Sequence, residues 1–152
     1  MSTPAITSED LLKMSRTDLD EMFSGVPDPG PTPQGEAVGT VIFAPGTPIS
    51  ETAAKLAHLI AWQGKVFDPA KGELRNEIGP LGDKAVRAKV YVDESWLDGK
   101  PAIILDYSKT SLVAHWIRDE IRQVSPGLYL GIVYWDHSKI LDFALDFGHP
   151  NG

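Results

Sequence analysis

Asp119 stands between Ile117 and Ile121 in AHWIRDEIRQVSPGLYLGIVYWDHSKILDFALDF, residues 114–147. In a strand these three side chains would share one face, because alternate residues point the same way. A carboxylate among isoleucines is costly unless it is paired, protonated or close to water. Such surroundings also raise a carboxyl pKa towards the range useful in general acid–base work. Asp106, at the end of PAIILD, is a second candidate acid or base. His115, Gln123 and Tyr134 are candidate hydrogen-bonding partners, and Lys109 a candidate cation. The alternative is a structural Asp119, bonded to Tyr134 and the backbone so as to fix strand register.

The elements that would position these groups follow from spacing. Ile117, Ile121 and Val124 fit one face of a helix, but cross-strand pairing favours a strand. With a loop of two residues at Pro126-Gly127, or the four-residue loop that the twist of L-Pro-Gly favours, Gln123 faces Leu130, Ile121 faces Ile132, and Asp119 faces Tyr134. A three-residue loop would set Glu120 against Ile132 and put charges on an apolar face, which register rules disfavour. With His137-Ser138 at the next tip, Tyr134 faces Leu141, Ile132 faces Phe143, Leu130 faces Leu145, and Leu128 faces Phe147. The pattern predicts a three-stranded meander whose inner face carries Asp119 among apolar residues. Its outer, solvated face carries Arg118, Glu120, Arg122, Asp142 and Asp146, alternating with Trp116, Val133 and Trp135. If the loop in DYSKTS spans four residues, Ile104 and Asp106 also point inward, opposite His115 and Val113.

The rest of the chain divides into short elements. Ser8 and Thr17 are possible N-caps for one or two N-terminal helices, EDLLKM and DLDEMF. SGVPDPGPTPQG, proline-rich and unable to continue a helix, predicts an extended crossing over the body of the protein. EAVGTVIFA reads as a strand, and ISETAAKLAHLIAW as a helix near residues 50–62 capped by Ser50. GKVFD, ELRNEI, KAVRAKVYVD and PAIILDY are further short strands separated by turn residues. The fold class expected is mainly β with helices, an antiparallel barrel or sandwich in a single domain spanning 1–152.

Composition narrows the functions. A formal charge of −7 argues against nucleic acid and against an anionic membrane surface, since both call for clustered Lys and Arg. With no cysteine, disulfides and thiolate sites are excluded. No uncharged apolar run approaches the ~18 residues of a membrane helix, and the N-terminus lacks a signal-peptide pattern, so a cytoplasmic location is expected. Phosphate-loop, dinucleotide, hydrolase-elbow and zinc-protease motifs are missing. His58, His115, His137 and His149 lie on different elements, so no metal and no cofactor is expected.

AWQGKVFD, LDGKPAIILDY and RDEIRQVSPGLYLGIVYW, with the N-terminal helix and the Pro/Gly crossing, resemble the lipocalin-like, calycin-type small barrels of bacteria. More loosely, the late strands are similar to the family named for a Gly-x-Trp-x-Gly motif, although Trp62-Gln63-Gly64 departs from that motif. The resemblance implies a closed barrel around a hydrophobic ligand. The first expectation is therefore a binding protein for a small hydrophobic molecule, held by Ile117, Ile121, Leu130, Ile132 and Phe143, with His115, Gln123 and Tyr134 as polar contacts. A cofactor-independent isomerase, cyclase or hydrolase using Asp119 or Asp106 is the second. A homodimer through Trp116 and Trp135 is the third.

Overall fold

The computed structural model describes residues 6–26, 28–42, 65–78, 84–108 and 117–148. The helix expected near residues 50–62 lies outside them, as do Trp116, His115, Val113 and Lys109. Eight strands follow in antiparallel order, β1 (Gly35–Ile42), β2 (Lys65–Asp68), β3 (Glu73–Ile78), β4 (Lys84–Glu94), β5 (Pro101–Asp106), β6 (Ile117–Ser125), β7 (Leu128–Trp135) and β8 (Ser138–Asp146). Each pairs with the next and β8 pairs with β1, so the sheet closes into a barrel and leaves no edge strand. Two short helices precede it, α1 (Ser8–Leu12) and α2 (Arg16–Ser24). Thr7 caps α1 through a capping box with Asp10, and Ser15 caps α2. Each cap lies one or two residues before the position expected from the sequence.

The expected strand register is overturned. Glu120 faces Ile132, Ile121 faces Gly131, and Arg122 faces Leu130. Pro126-Gly127 is a two-residue loop and not the wider one preferred from the sequence, closed by Ser125 opposite Leu128, and a bulge between Gln123 and Ser125 slips the pairing by one. The bulge has a physical reason: an L-Pro–Gly turn twists the wrong way for a tight hairpin, and a bulge adds right-handed twist. The second tip is Asp136-His137, and a bulge between Val133 and Tyr134 sets Ile132 against Asp142 and Leu130 against Ala144.

These shifts assign two buried layers where a single one was expected. Inside the barrel lie Ile103, Leu105, Ile117, Ile121, Val133, Phe143 and Leu145. Gly131 is required at this level, because a Cβ there would stand 2.3 Å from the Phe143 ring. Outside the barrel, Ile104, Leu130, Ile132 and Tyr134 pack beneath Leu11, Leu19 and Phe23 of the helices. β7 is consequently buried on both faces up to its last residue. Trp135 packs against the inner cluster and not on the outer face expected for it.

Arg118, Glu120 and Arg122 do face outward, but they are not solvated. Glu120 and Arg122 are fully buried. Glu120 accepts hydrogen bonds from the Ser95 hydroxyl at 2.6 Å, the Trp96 amide at 2.7 Å and Arg118 at 2.9 Å. Arg122 gives two bonds to the Asp98 carboxylate, at 2.7 and 2.8 Å, and others to the carbonyls of Phe23, Lys100 and Pro101. Those five bonds use every N–H of a guanidinium. The guanidinium also lies 4.3 Å over the Phe23 ring. Helix α2 has no basic residue in its last turn, and its C-terminal carbonyls are met instead by Arg122 from β6 and Lys100 from the β4–β5 connection. Midway along α2, Lys139 joins Asp20 to the buried Asp142.

Magnitudes separate the two contributions. Each apolar side chain buried between helix and barrel is worth about 1.5–3 kcal/mol, whereas a buried ion pair gains little net over an apolar replacement. Apolar contact therefore holds the helices on, and the ionic network fixes where they sit. Arg122→Met alone should destabilise the protein by about 3–5 kcal/mol in urea unfolding, since it strands Asp98 and three carbonyls. Arg122→Met with Asp98→Leu should recover part of that loss. The Arg122 bond holds the Asp98 carboxyl well below its ordinary value, at about 2. Its contribution is thus present above the unfolded value of about 3.9 and fades as pH falls towards 2. The stability gap between wild type and Asp98→Asn should close over that same acid window.

Candidate functional site

The candidate residues read from the sequence separate in space. Asp119 lies in the inner layer at 2% exposure, flanked along β6 by Ile117 and Ile121 and across the sheet by Leu105 and Val133. Gln123 shares that face at the opposite end, where its amide donates to the Pro29 carbonyl of the proline-rich crossing. Tyr134, Leu130 and Ile132 belong to the outer layer, so they do not wall an interior cavity with Ile117, Ile121 and Phe143. The one-residue slip at each bulge is the reason. Asp106 and Ile104 also face outward, because Asp106 pairs with Arg118 and not with residue 113. Asp119 and Asp106 therefore stand on opposite sides of the barrel wall. His115 is outside the described residues.

A groove of about 330 Å³ runs along the outer wall between the β4–β5 connection and the β7–β8 turn. Tyr91 and Asp93 of β4, Asp106 of β5, Ile117 and Arg118 of β6, and Asp136 and His137 of the turn border it, with Trp96 reaching in from the connection. Trp96 is held from several directions. The Arg118 guanidinium lies 4.0 Å from its ring centroid, the His137 ring stacks on it at 4.4 Å, and Tyr134 meets it edge-on at 5.2 Å. Asp136 and His137 both have positive φ, 47° and 70°. That conformation suits the tight hairpin but costs a non-glycine residue about 1–2 kcal/mol. Strain of this kind recurs at ligand clamps.

Two pairs fix the remaining chemistry. Arg118 gives one N–H to Glu120 and one to the Glu94 carbonyl, so three of its five donors make no hydrogen bond to the described residues. The Tyr91 hydroxyl donates to Asp106 at 2.7 Å. Burial, and then the Asp106 bond and charge, push the Tyr91 phenol up to about 12. On Asp106 burial acts upwards, yet bonds from Ser108 and Tyr91 outweigh it and keep the carboxyl below its ordinary value. Among the described residues, no three His, Asp or Glu side chains are placed to hold a metal ion.

Sequence reasoning missed this groove. The alternation along β6 puts Arg118 on the solvated face, and no spacing in the chain singles out Trp96. One available signal was Tyr91, an aromatic residue on the charged side of the β4 alternation. The other was an Asp-His pair at a hairpin tip where Asn-Gly or Asp-Gly is the inexpensive choice.

No family model and no curated protein matches the chain. A solved structure, the crystal structure of a protein from Thermomonospora curvata, is similar with a TM-score of 0.60 and 20% identity, covering 90% of each chain. At that identity the likeness shows the fold alone. Among the described residues no helix is long and apolar enough to cross a membrane.

Burial raises the Tyr129 and Tyr134 phenols as well, so the Tyr91 phenol is isolated as the difference between ultraviolet titrations of the wild type and Tyr91→Phe, where its midpoint should lie near 12. In Asp106→Asn that midpoint should fall only part of the way, because burial remains. An unchanged midpoint would break the Tyr91–Asp106 link.

Proposed function

We propose that this protein binds a small molecule in the outer-wall groove. The observation that carries the reading is convergence: Trp96, Tyr91 and His137 supply rings at a concavity where three Arg118 N–H donors make no hydrogen bond to the described residues. The volume lies at the lower end of the ~300–1,000 Å³ of small-molecule sites. Arg118 is already immobilised by Glu120, the Glu94 carbonyl and the Trp96 ring, so a ligand would lose little side-chain entropy in engaging it. The positive-φ turn that carries His137 supports the same reading, since strain is kept where the surroundings enforce it.

A second reading keeps the ligand inside the barrel, as in the lipocalin-like barrels the sequence resembles. The burial of Asp119 beside Leu105, Ile121 and Val133 favours it. There a largely hydrophobic molecule would place its one polar end at Asp119, which could also serve as acid or base for a cofactor-independent reaction. Gly131 and the Phe143 ring, packed together in the inner layer, leave this reading less room.

One experiment separates the two. Two-dimensional NMR of the isotope-labelled protein is followed during titration with benzylamine, benzyl alcohol, benzoate and indole. The groove reading expects saturable shifts at the Trp96 indole N–H and the Arg118 amide, weakened at least several-fold in Trp96→Leu. Shifts confined to Ile121, Val133 and Phe143 would move the site inside, and no saturable shift at either place would end both readings.

A further inference from the structure

We propose that the groove's ligand is a small organic cation with a planar or aromatic part. This rests on the groove being the binding site, and it adds the charge and shape of what enters.

The charge follows from the border of the groove. Asp93, Asp106 and Asp136 face a single described permanent cation, Arg118; His137, its Nδ1 3.8 Å from Asp136, adds a second positive charge only when protonated, which still leaves the carboxylates in excess. Arg118 is already answered from behind by the buried Glu120 carboxylate at 2.9 Å. The groove therefore presents an excess of negative charge. An anion drawn to the spare donors of Arg118 would have to sit among three carboxylates, with a fourth behind the guanidinium. Like charges at such range repel, and the low dielectric of a partly enclosed groove strengthens the repulsion. Asp106 stays ionised because Tyr91 and Ser108 donate to it. Each of its oxygens accepts one of those bonds, and a carboxylate has room for further donors.

Shape excludes the simplest cation. The carboxylates are spread along the groove and form no metal-holding group, so a bare ion cannot gather them. The complement is an extended molecule whose charge meets one or two carboxylates while its body lies along the rings. Tyr91 and Trp96 are 39% and 45% exposed, and a ligand would meet the Tyr91 ring and the part of the Trp96 indole that Arg118 and His137 leave uncovered. The Arg118 guanidinium over the indole shows that this ring already accepts a planar cation. An acceptor oxygen on the ligand would find the remaining Arg118 donors.

Benzylamine, benzyl alcohol and benzoate share a ring and differ in charge, which isolates the claim. Dissociation constants are read from the Trp96 indole N–H shift at low ionic strength and again with about 0.5 M salt, where exposed charges are screened within ~4 Å. Benzylamine should bind most tightly and benzoate least. Salt should weaken benzylamine while leaving benzyl alcohol unaltered. Asp106→Asn and Asp136→Asn should each weaken benzylamine by roughly 3–10-fold and leave benzyl alcohol within about twofold. If benzyl alcohol or benzoate binds in the groove as tightly as benzylamine, the cation class is wrong although the site survives. If none of the three moves the groove resonances, the site and the class fall together.

Discussion

Arg122 ties together parts of the chain that are distant in sequence. Its guanidinium reaches the last turn of α2, the β4–β5 connection and the start of β5 from the middle of β6, and all five donors are engaged. A buried cation left with even one free N–H would be expensive, so the position of each partner is dictated by the others. The helices need this, because apolar packing alone is non-directional and would let α2 slide along the outer wall. The energy of attachment comes from Leu19, Phe23, Ile104 and Leu130, and the address comes from Arg122.

The same alternation builds the groove four residues upstream, at Arg118. Arg122, Glu120 and Arg118 point outward in succession along β6. Arg122 anchors the connection through Asp98, Glu120 anchors it through Ser95 and the Trp96 amide, and the connection then delivers the Trp96 ring onto Arg118. Structure and candidate function thus share one strand. The inward residues of β6, Ile117, Asp119 and Ile121, fill the barrel, while its outward residues organise the surface.

Much of this was legible in the sequence. Strand positions, the meander, the paired N-terminal helices and the proline-rich crossing follow from local patterns, and the inward direction of Asp119 follows from alternation along its own strand. Register between strands did not follow, because apolar matching specifies register only where one face of a sheet is dry and the other wet. Here both faces are buried, so Leu130 against Ala144 is as acceptable as Leu130 against Leu145, and apolar matching cannot choose. Bulges beside Val124 and Ile140 decided the matter, and a bulge leaves no mark in hydrophobic periodicity. Asp106 was misplaced for a related reason: its direction depended on where β6 begins. The groove escaped notice because Trp96 and His137 meet only through the folded-back connection, and no spacing in the chain predicts that contact.

Nitrogen-15 NMR of the arginine side chains tests the central claim most directly. In an exposed arginine, rotation and exchange average the terminal N–H signals at neutral pH. With every donor of Arg122 held by a buried acceptor, its Nε–H and Nη–H resonances should be individually resolved, slow to exchange with solvent, and lost in Arg122→Lys. A single averaged, fast-exchanging Nη signal assigned to Arg122 would contradict the account.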